Sequence, residues 1–215
     1  MKREWKCLTL AICLVTMSFT GRTAFAQEQK GIQAGEAVKK TDAAKPETAN
    51  RVQDIMARIT APRAEKIKKI TGMNKGLLLD VGCGGAYLDV ALAKITDMDF
   101  ILLDISPWSI EVANQNIDEH YLWKRARTLL ADVHSIPLAD NSVNIVISTA
   151  SIGFWKNPQK GLEEIYRVLA PGGRAYISGI DGNPYRDFSR ILKDAGFPRY
   201  ALNNDGKDMW IDIWK

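Results

Sequence analysis

The sequence predicts an α/β fold, a doubly wound and largely parallel sheet with helices on both faces. Three observations carry that expectation. Near-continuous apolar runs at Leu77–Val81, Phe100–Ile105, Thr128–Asp132, Val143–Ser148 and Arg174–Ser178 read as strands buried on both faces. Segments of helical spacing alternate with them, as a parallel sheet with crossover helices requires. Three helix starts share one device, Ser106-Pro107, Asn157-Pro158 and Asn183-Pro184. In each a side-chain acceptor caps the helix, and proline occupies the first turn, where its missing N–H costs nothing.

The chain has 215 residues, 46% hydrophobic and 25% charged, enough for one sizeable core. Residues 1–26 read as a secretory signal peptide: Lys2, Arg3 and Lys6 form a basic start, Cys7–Phe19 is uncharged and mostly apolar, and Ala24-Phe25-Ala26 precedes Gln27. That run is well short of the ~20 residues a stable bilayer span needs. No stable membrane span is expected in the mature chain, and export to a periplasmic or extracellular space is the expected localisation. An uncleaved anchor, or a start at Met56 in the cytoplasm, remains open. The leader holds Lys2, Arg3, Lys6 and Arg22 against Glu4, so removing its net +3 takes the formal charge from +4 to about +1. Such a chain has no concentrated basic face, and nucleic acid is not an expected partner. Of three cysteines only Cys83 lies outside the leader, which leaves no intrachain disulfide in the mature form.

Residues 27–50 are polar and almost free of large apolar side chains, and read as a flexible linker. From Arg51, apolar residues recur at three- and four-residue steps (Val52, Ile55, Met56, Ile59, Ala64, Ile67, Ile70), predicting helix, with Pro62 expected to divide it in two. Helix stops are legible at Ala170–Gly173 and at Gly196. The final Met209–Lys215 alternates and predicts a last strand near a sheet edge.

The chemistry is concentrated at the predicted strand ends. After Leu77–Val81 comes Gly82-Cys83-Gly84, where glycine lets the backbone turn tightly and approach a ligand. A dinucleotide fingerprint would need a further glycine at position 87, which is tyrosine here. Asp80 would repel a pyrophosphate and suits a ligand carrying an ammonium or sulfonium group. Asp104, 22 residues past Gly82, is placed to accept ribose hydroxyls, and Asp132 to accept from an adenine amino group. Acids at successive strand ends, with glycines at the first, describe an amino acid joined to an adenosine without phosphate.

These motifs resemble those of class I S-adenosylmethionine-dependent methyltransferases of the small-molecule type, from about Leu77 to Lys215. "LLLDVGCGGAY" resembles the first motif, "ILLDIS" the acidic end of the second strand, "LLADVHSIPLADNSVNIVIS" the adenine motif, and "EEIYRVLAPGGRAYIS" the helix and fifth strand. The resemblance implies a single Rossmann-like domain over residues 51–215, with a sheet of seven strands whose last is antiparallel, and N-terminal helices over 51–76 as a lid. It implies S-adenosylmethionine as cofactor. Asp80, Gly82, Cys83 and Gly84 would lie at its methionine part, Asp104 at the ribose, and Ile105, Asp132 and Val133 around the adenine. Ala86 stands where many members carry a third glycine.

The acceptor is expected to be a small molecule, with Ser151, Phe154 and Trp155 of the loop after the fourth strand as candidate lining. That loop lacks the Asn-Pro-Pro-aromatic motif used on nucleobases and amides by similar enzymes, and no acid–acid–Asn metal set is visible. No general base declares itself; His134 and His120 read as loop and solvated helix-end residues. A non-catalytic S-adenosylmethionine-binding module and a nucleotide-dependent oxidoreductase are the alternative readings. Oligomeric state is not legible in the sequence.

Overall fold

A computed structural model describes residues 46–72, 74–180 and 188–215. The leader, most of the polar segment after it and the Asn183-Pro184 helix start lie outside these residues. The chain divides at Ile55/Met56 into two units, of which the second, Met56–Lys215, contains the sheet. In chain order the elements are α1 (Pro46–Thr71), β1 (Lys75–Val81), α2 (Tyr87–Ala93), β2 (Asp97–Asp104), α3 (Pro107–Glu119), β3 (Ala126–Leu130) and β4 (Val143–Thr149). A single 3-10 turn (Ile152–Phe154) precedes α4 (Pro158–Val168), β5 (Leu169–Ser178), α5 (Phe188–Asp194), β6 (Arg199–Asn204) and β7 (Met209–Trp214).

The seven strands form one sheet in the order β3-β2-β1-β4-β5-β7-β6. The first five are parallel, and β7 runs antiparallel to both its neighbours. The chain therefore starts in the middle, winds outward through β2 and β3, then returns to β4 on the other side of β1. The switch point between β1 and β4 is where doubly wound sheets open a crevice at the strands' carboxyl ends.

Strand alternation sorts side chains between two cores. Leu79, Val81, Ile101, Leu103, Val146, Ala175 and Ile177 pack with α4 and α5 on one face. Leu78, Phe100, Leu102, Ile145, Ile147 and Tyr176 pack with α2, α3 and the carboxyl half of α1 on the other. By the same alternation Asp80 shares the second face with α2.

Three sequence expectations are corrected, and one strand is added to them. The helix before β1 begins at Pro46, inside the segment read as linker, and it runs unbroken through Pro62. A proline removes one helical hydrogen bond, but Thr60, Ala64, Ile67 and Thr71 form a buried stripe at helical spacing. Burial of that stripe holds the axis, so there is one helix where two were expected. The third strand ends at Leu130, which places Asp132 in the loop beyond it. The last strand, β7, lies near the sheet edge as expected, between β5 and its other partner β6. That partner, the true edge strand Arg199–Asn204, was not anticipated, because an edge strand pairs on one side only and keeps polar residues.

Candidate functional site

The loops after β1, β2, β3 and β4 emerge from the carboxyl end of the parallel sheet, and they bring the predicted residues together. The glycine loop is fixed from beneath by β2. The Gly82 and Cys83 N–H groups both donate to Leu103 O, at 2.8 and 3.0 Å. Gly84 N–H donates to Asp104 Oδ2 at 2.9 Å, and Asn116 of α3 donates to Gly85 O at 2.6 Å. Gly82 adopts φ +80, and a Cβ there would collide with the Ser151 side chain, whose Oγ lies 2.7 Å from that position. Gly84, at φ +54, has nothing within 4 Å of where its Cβ would be. The loop thus presses on the β4 loop at Gly82 and faces open space at Gly84.

Ala86 occupies the left-handed region at φ 60, a conformation that costs an L residue roughly 1–2 kcal/mol. Its methyl is buried in the α2 core, which offsets about 0.8 kcal/mol of that strain. The backbone keeps the shape a glycine would adopt. Cys83 packs against the same core. Burial, then the negative charges of Asp80, Asp89 and Asp104, push its thiol far up, which makes it a poor nucleophile.

Asp104 closes β2 with both oxygens engaged, Oδ2 by Gly84 N–H and Oδ1 by Ser106 N–H at 2.9 Å. A carboxylate offers about four lone-pair sites, so acceptor capacity remains on each oxygen. Ile105 beside it is exposed. Beyond β3, Asp132 Oδ1 accepts from the His134 backbone at 2.9 Å and from His134 Nδ1 at 2.5 Å. The His134 backbone bond, with the imidazole and Lys156 adding to it, holds the Asp132 carboxyl below its usual range. His134 Nε2 in turn accepts from Asn157 N–H at 3.1 Å. That pattern sets the Nδ1–H tautomer and occupies both ring nitrogens. Val133 is buried in the core.

The β4 loop divides its three candidates. Ser151 Oγ donates to Val81 O at 2.9 Å and contacts Ser148 Oγ at 2.6 Å. It also accepts from Trp155 Nε1 at 3.2 Å. One donor and two acceptor positions are thereby filled. Trp155 is buried against the α4 side, so Ser151 and Trp155 brace the loop. Phe154 alone turns outward, 70% exposed. Ala150, at φ 56, carries backbone strain of the kind stored at functional loops.

Reading the residues missed Asp89, which is 2% exposed in the first turn of α2, on the face that Asp80 shares. An aspartate amid the apolar run "YLDVALA" was the available signal.

Residues 79–177 match the family described as a methyltransferase domain. The chain is 31% identical over 103 residues to a 2-methyl-6-phytyl-1,4-hydroquinone methyltransferase of rice, covering 47% of this chain and 30% of that protein. It is 31% identical over 113 residues to the ubiquinone/menaquinone biosynthesis C-methyltransferase of Geotalea daltonii, covering 52% and 48%. The chain thus spans between about a third and a half of the length of these two relatives. Among solved structures, a proposed S-adenosyl-L-methionine-dependent methyltransferase of Methanococcus maripaludis superposes with a TM-score of 0.70 at 28% identity, covering 84% of this chain and 97% of that one. The matched segment begins in β1 and ends in β5, and so takes in the glycine loop, Asp104, Asp132 and the β4 loop. Sheet order, loop geometry and these likenesses agree: residues 79–177 match a methyltransferase domain, and the fold is that of the S-adenosylmethionine-dependent methyltransferases to which the chain is similar.

Proposed function

We propose that this protein transfers a methyl group from S-adenosylmethionine to a small-molecule acceptor, and that the four strand-end loops form the donor site. The observation that carries this reading is the Gly84–Asp104 pair. Open space beside the glycine backbone adjoins a carboxylate with spare acceptor capacity. The residues fit the donor. Asp104 would take the ribose hydroxyls, Ile105 would lie on the adenine, and Asp132 Oδ2 with the Val133 N–H would meet its edge. Gly82, Cys83 and Gly84 would give the backbone surface for the methionine part. Acids at Asp80, Asp104 and Asp132 disfavour a polyphosphate and suit a cation. When bound, S-adenosylmethionine supplies a methyl carbon already activated by a sulfonium.

This chain's part is to hold, orient and exclude water, and proximity carries much of such a rate. His134 has both ring nitrogens engaged and Ser151 Oγ is saturated. Neither is free to take a proton, which favours an acceptor atom that is nucleophilic without deprotonation. Phe154 would offer its outward ring to that acceptor. The relatives named for hydroquinone and quinone methylation place electron-rich aromatic acceptors first in a substrate screen. The leader and its polar follower support export, with mature mass beginning at Gln27 as the check.

Calorimetry with the full chain tests the donor site. S-adenosylmethionine or its demethylated product should bind in preference to NAD, and tight NAD binding without response to either sulfur ligand would overturn the reading. Donor binding without transfer of labelled methyl to any hydroquinone would favour a non-catalytic binding module.

A further inference from the structure

We propose that Asp80 and Asp89 form a single buried acid pair beneath the glycine loop, which holds a proton in the free protein and releases it when a cationic ligand occupies that loop. The inference rests on the donor-site reading above and assigns Asp89 a part in it.

The geometry begins with β1. Leu79 and Val81 point to the α4 side, so Asp80 points to the α2 side. Asp89 stands in the first turn of α2 and meets it there. Each residue is 2% exposed. Among the described residues, Asp80 Oδ1 and both oxygens of Asp89 are buried with no hydrogen-bond donor from any other residue. Two ionised carboxylates offer each other no donor and repel strongly at low dielectric. Only a proton held between them turns the contact into a hydrogen bond. Without it, two desolvated anions would face each other unpaired, an arrangement that costs several kcal/mol per ion.

The other groups around the pair reinforce this. Cys83 of the loop lies close by with its thiol protonated, and Asp104 at the end of β2 adds a further negative charge. From α3 the Asn116 amide donates to the loop, and it is spent on Gly85 O. Among the described residues no lysine or arginine forms an ion pair with either acid. Burial pushes both carboxyls up, Asp80 well above its ordinary range and Asp89 to about 7, with their mutual repulsion raising Asp80 further.

A ligand bearing an ammonium and a sulfonium would bring the missing positive charge to the loop. Its field favours the ionised pair, so a proton leaves to solvent as the ligand arrives. By linkage, affinity then rises with pH until the free pair is itself ionised. Loss of the sulfonium on methyl transfer removes part of that field, so the demethylated product should release less proton than the donor.

The test is calorimetry of the full chain with S-adenosylmethionine at pH 6, 7 and 8, in two buffers of different ionisation heat. The expected result is net proton release at pH 6 and 7, with affinity rising by up to about tenfold per pH unit. The donor's own amino group, with an ordinary value near 7.7–8.0, acts in the opposite sense. Asp89→Asn provides the reference for it: this substitution keeps the shape, supplies a permanent N–H to Asp80, and should bind donor without that release. Adenosine, which carries no cation, should release no proton from either protein. If Asp89→Asn fails to fold, the infrared band of a protonated carboxyl in the parent at pH 6 serves instead, and it should fade on adding donor. Donor binding that is independent of pH, with proton release no larger than Asp89→Asn gives, overturns the inference alone. Absence of donor binding at every pH overturns the donor-site reading on which it rests.

Discussion

Asp104 Oδ2 accepts the Gly84 N–H at 2.9 Å, joining the end of β2 to the centre of the glycine loop. The same carboxylate takes Ser106 N–H through Oδ1, so it shapes the loop as well as facing the proposed ribose. We predict that Asp104→Ala weakens S-adenosylmethionine binding by at least ~10-fold, since charge-assisted hydrogen bonds contribute roughly 1.5–3 kcal/mol. It should also lower the melting temperature without ligand, because two backbone N–H groups lose their acceptor. Asp104→Asn should be intermediate, keeping one acceptor oxygen. Melts with and without donor separate the two effects; parent-like affinity in Asp104→Ala would remove the ribose assignment.

Gly82 and Gly84 should respond differently to alanine. At Gly82 the new methyl meets Ser151 and the φ is +80, so Gly82→Ala is expected to cost about 2 kcal/mol or more of stability. At Gly84 the space is open and only the left-handed φ resists, a cost of roughly 1–2 kcal/mol. Its methyl would enter the space assigned to the donor, so Gly84→Ala should lose donor affinity beyond its loss of stability. Equal stability losses in denaturant unfolding would show that the Gly82–Ser151 contact is not a constraint.

His134 ties the loop after β3 to the start of α4. Replacing it with alanine leaves the Asn157 N–H without its acceptor and frees Asp132 from its imidazole partner. The expected cost is roughly 1 kcal/mol of stability. The Asn157 amide should exchange hydrogen faster, and donor affinity should fall several-fold as Asp132 loses its fixed orientation. Unchanged exchange at Asn157 would show that the imidazole does not hold α4.

Without ligand, stability should fall as pH rises from about 4 to about 7. Asp89 carries a folded-state value near 7 against an ordinary 3.8. Between those values the folded state binds more protons than the unfolded one, so stability decreases with pH. The contribution is fully present below the unfolded value and is lost as pH passes the folded one. Asp89→Asn should flatten the slope over this window in urea titrations. A parent protein that gains stability from pH 4 to 7, with Asp89→Asn tracking it, would show that other carboxyls dominate.

The glycine loop and the acids around it were legible because their signals are local. A glycine corner after an apolar strand, and acids placed after successive strands, need only the chain's own order to be read. Capping works in the same way: Ser106 and Asn157 accept from Ser109 and Lys160 N–H as Ser-Pro and Asn-Pro imply. These features depend on groups within a few residues of one another, so strand and helix periodicity decides them.

Features that depend on distant segments meeting were decided by the tertiary structure. Pro62 stays helical because Ala64 and Ile67 are buried on the sheet, a gain no local propensity contains. Ser151 reads as a candidate lining residue in the sequence, yet Val81 O, 70 residues away along the chain, takes its proton. Arg199–Asn204 became a strand only because β7 was there to pair with it. Asp80 reads as an acid near a ligand, while Asp89 drew no reading in the sequence. Strand alternation and the placement of α2 set them against each other away from water. Composition records how many charges a chain has, but only packing removes the solvent that would have screened them.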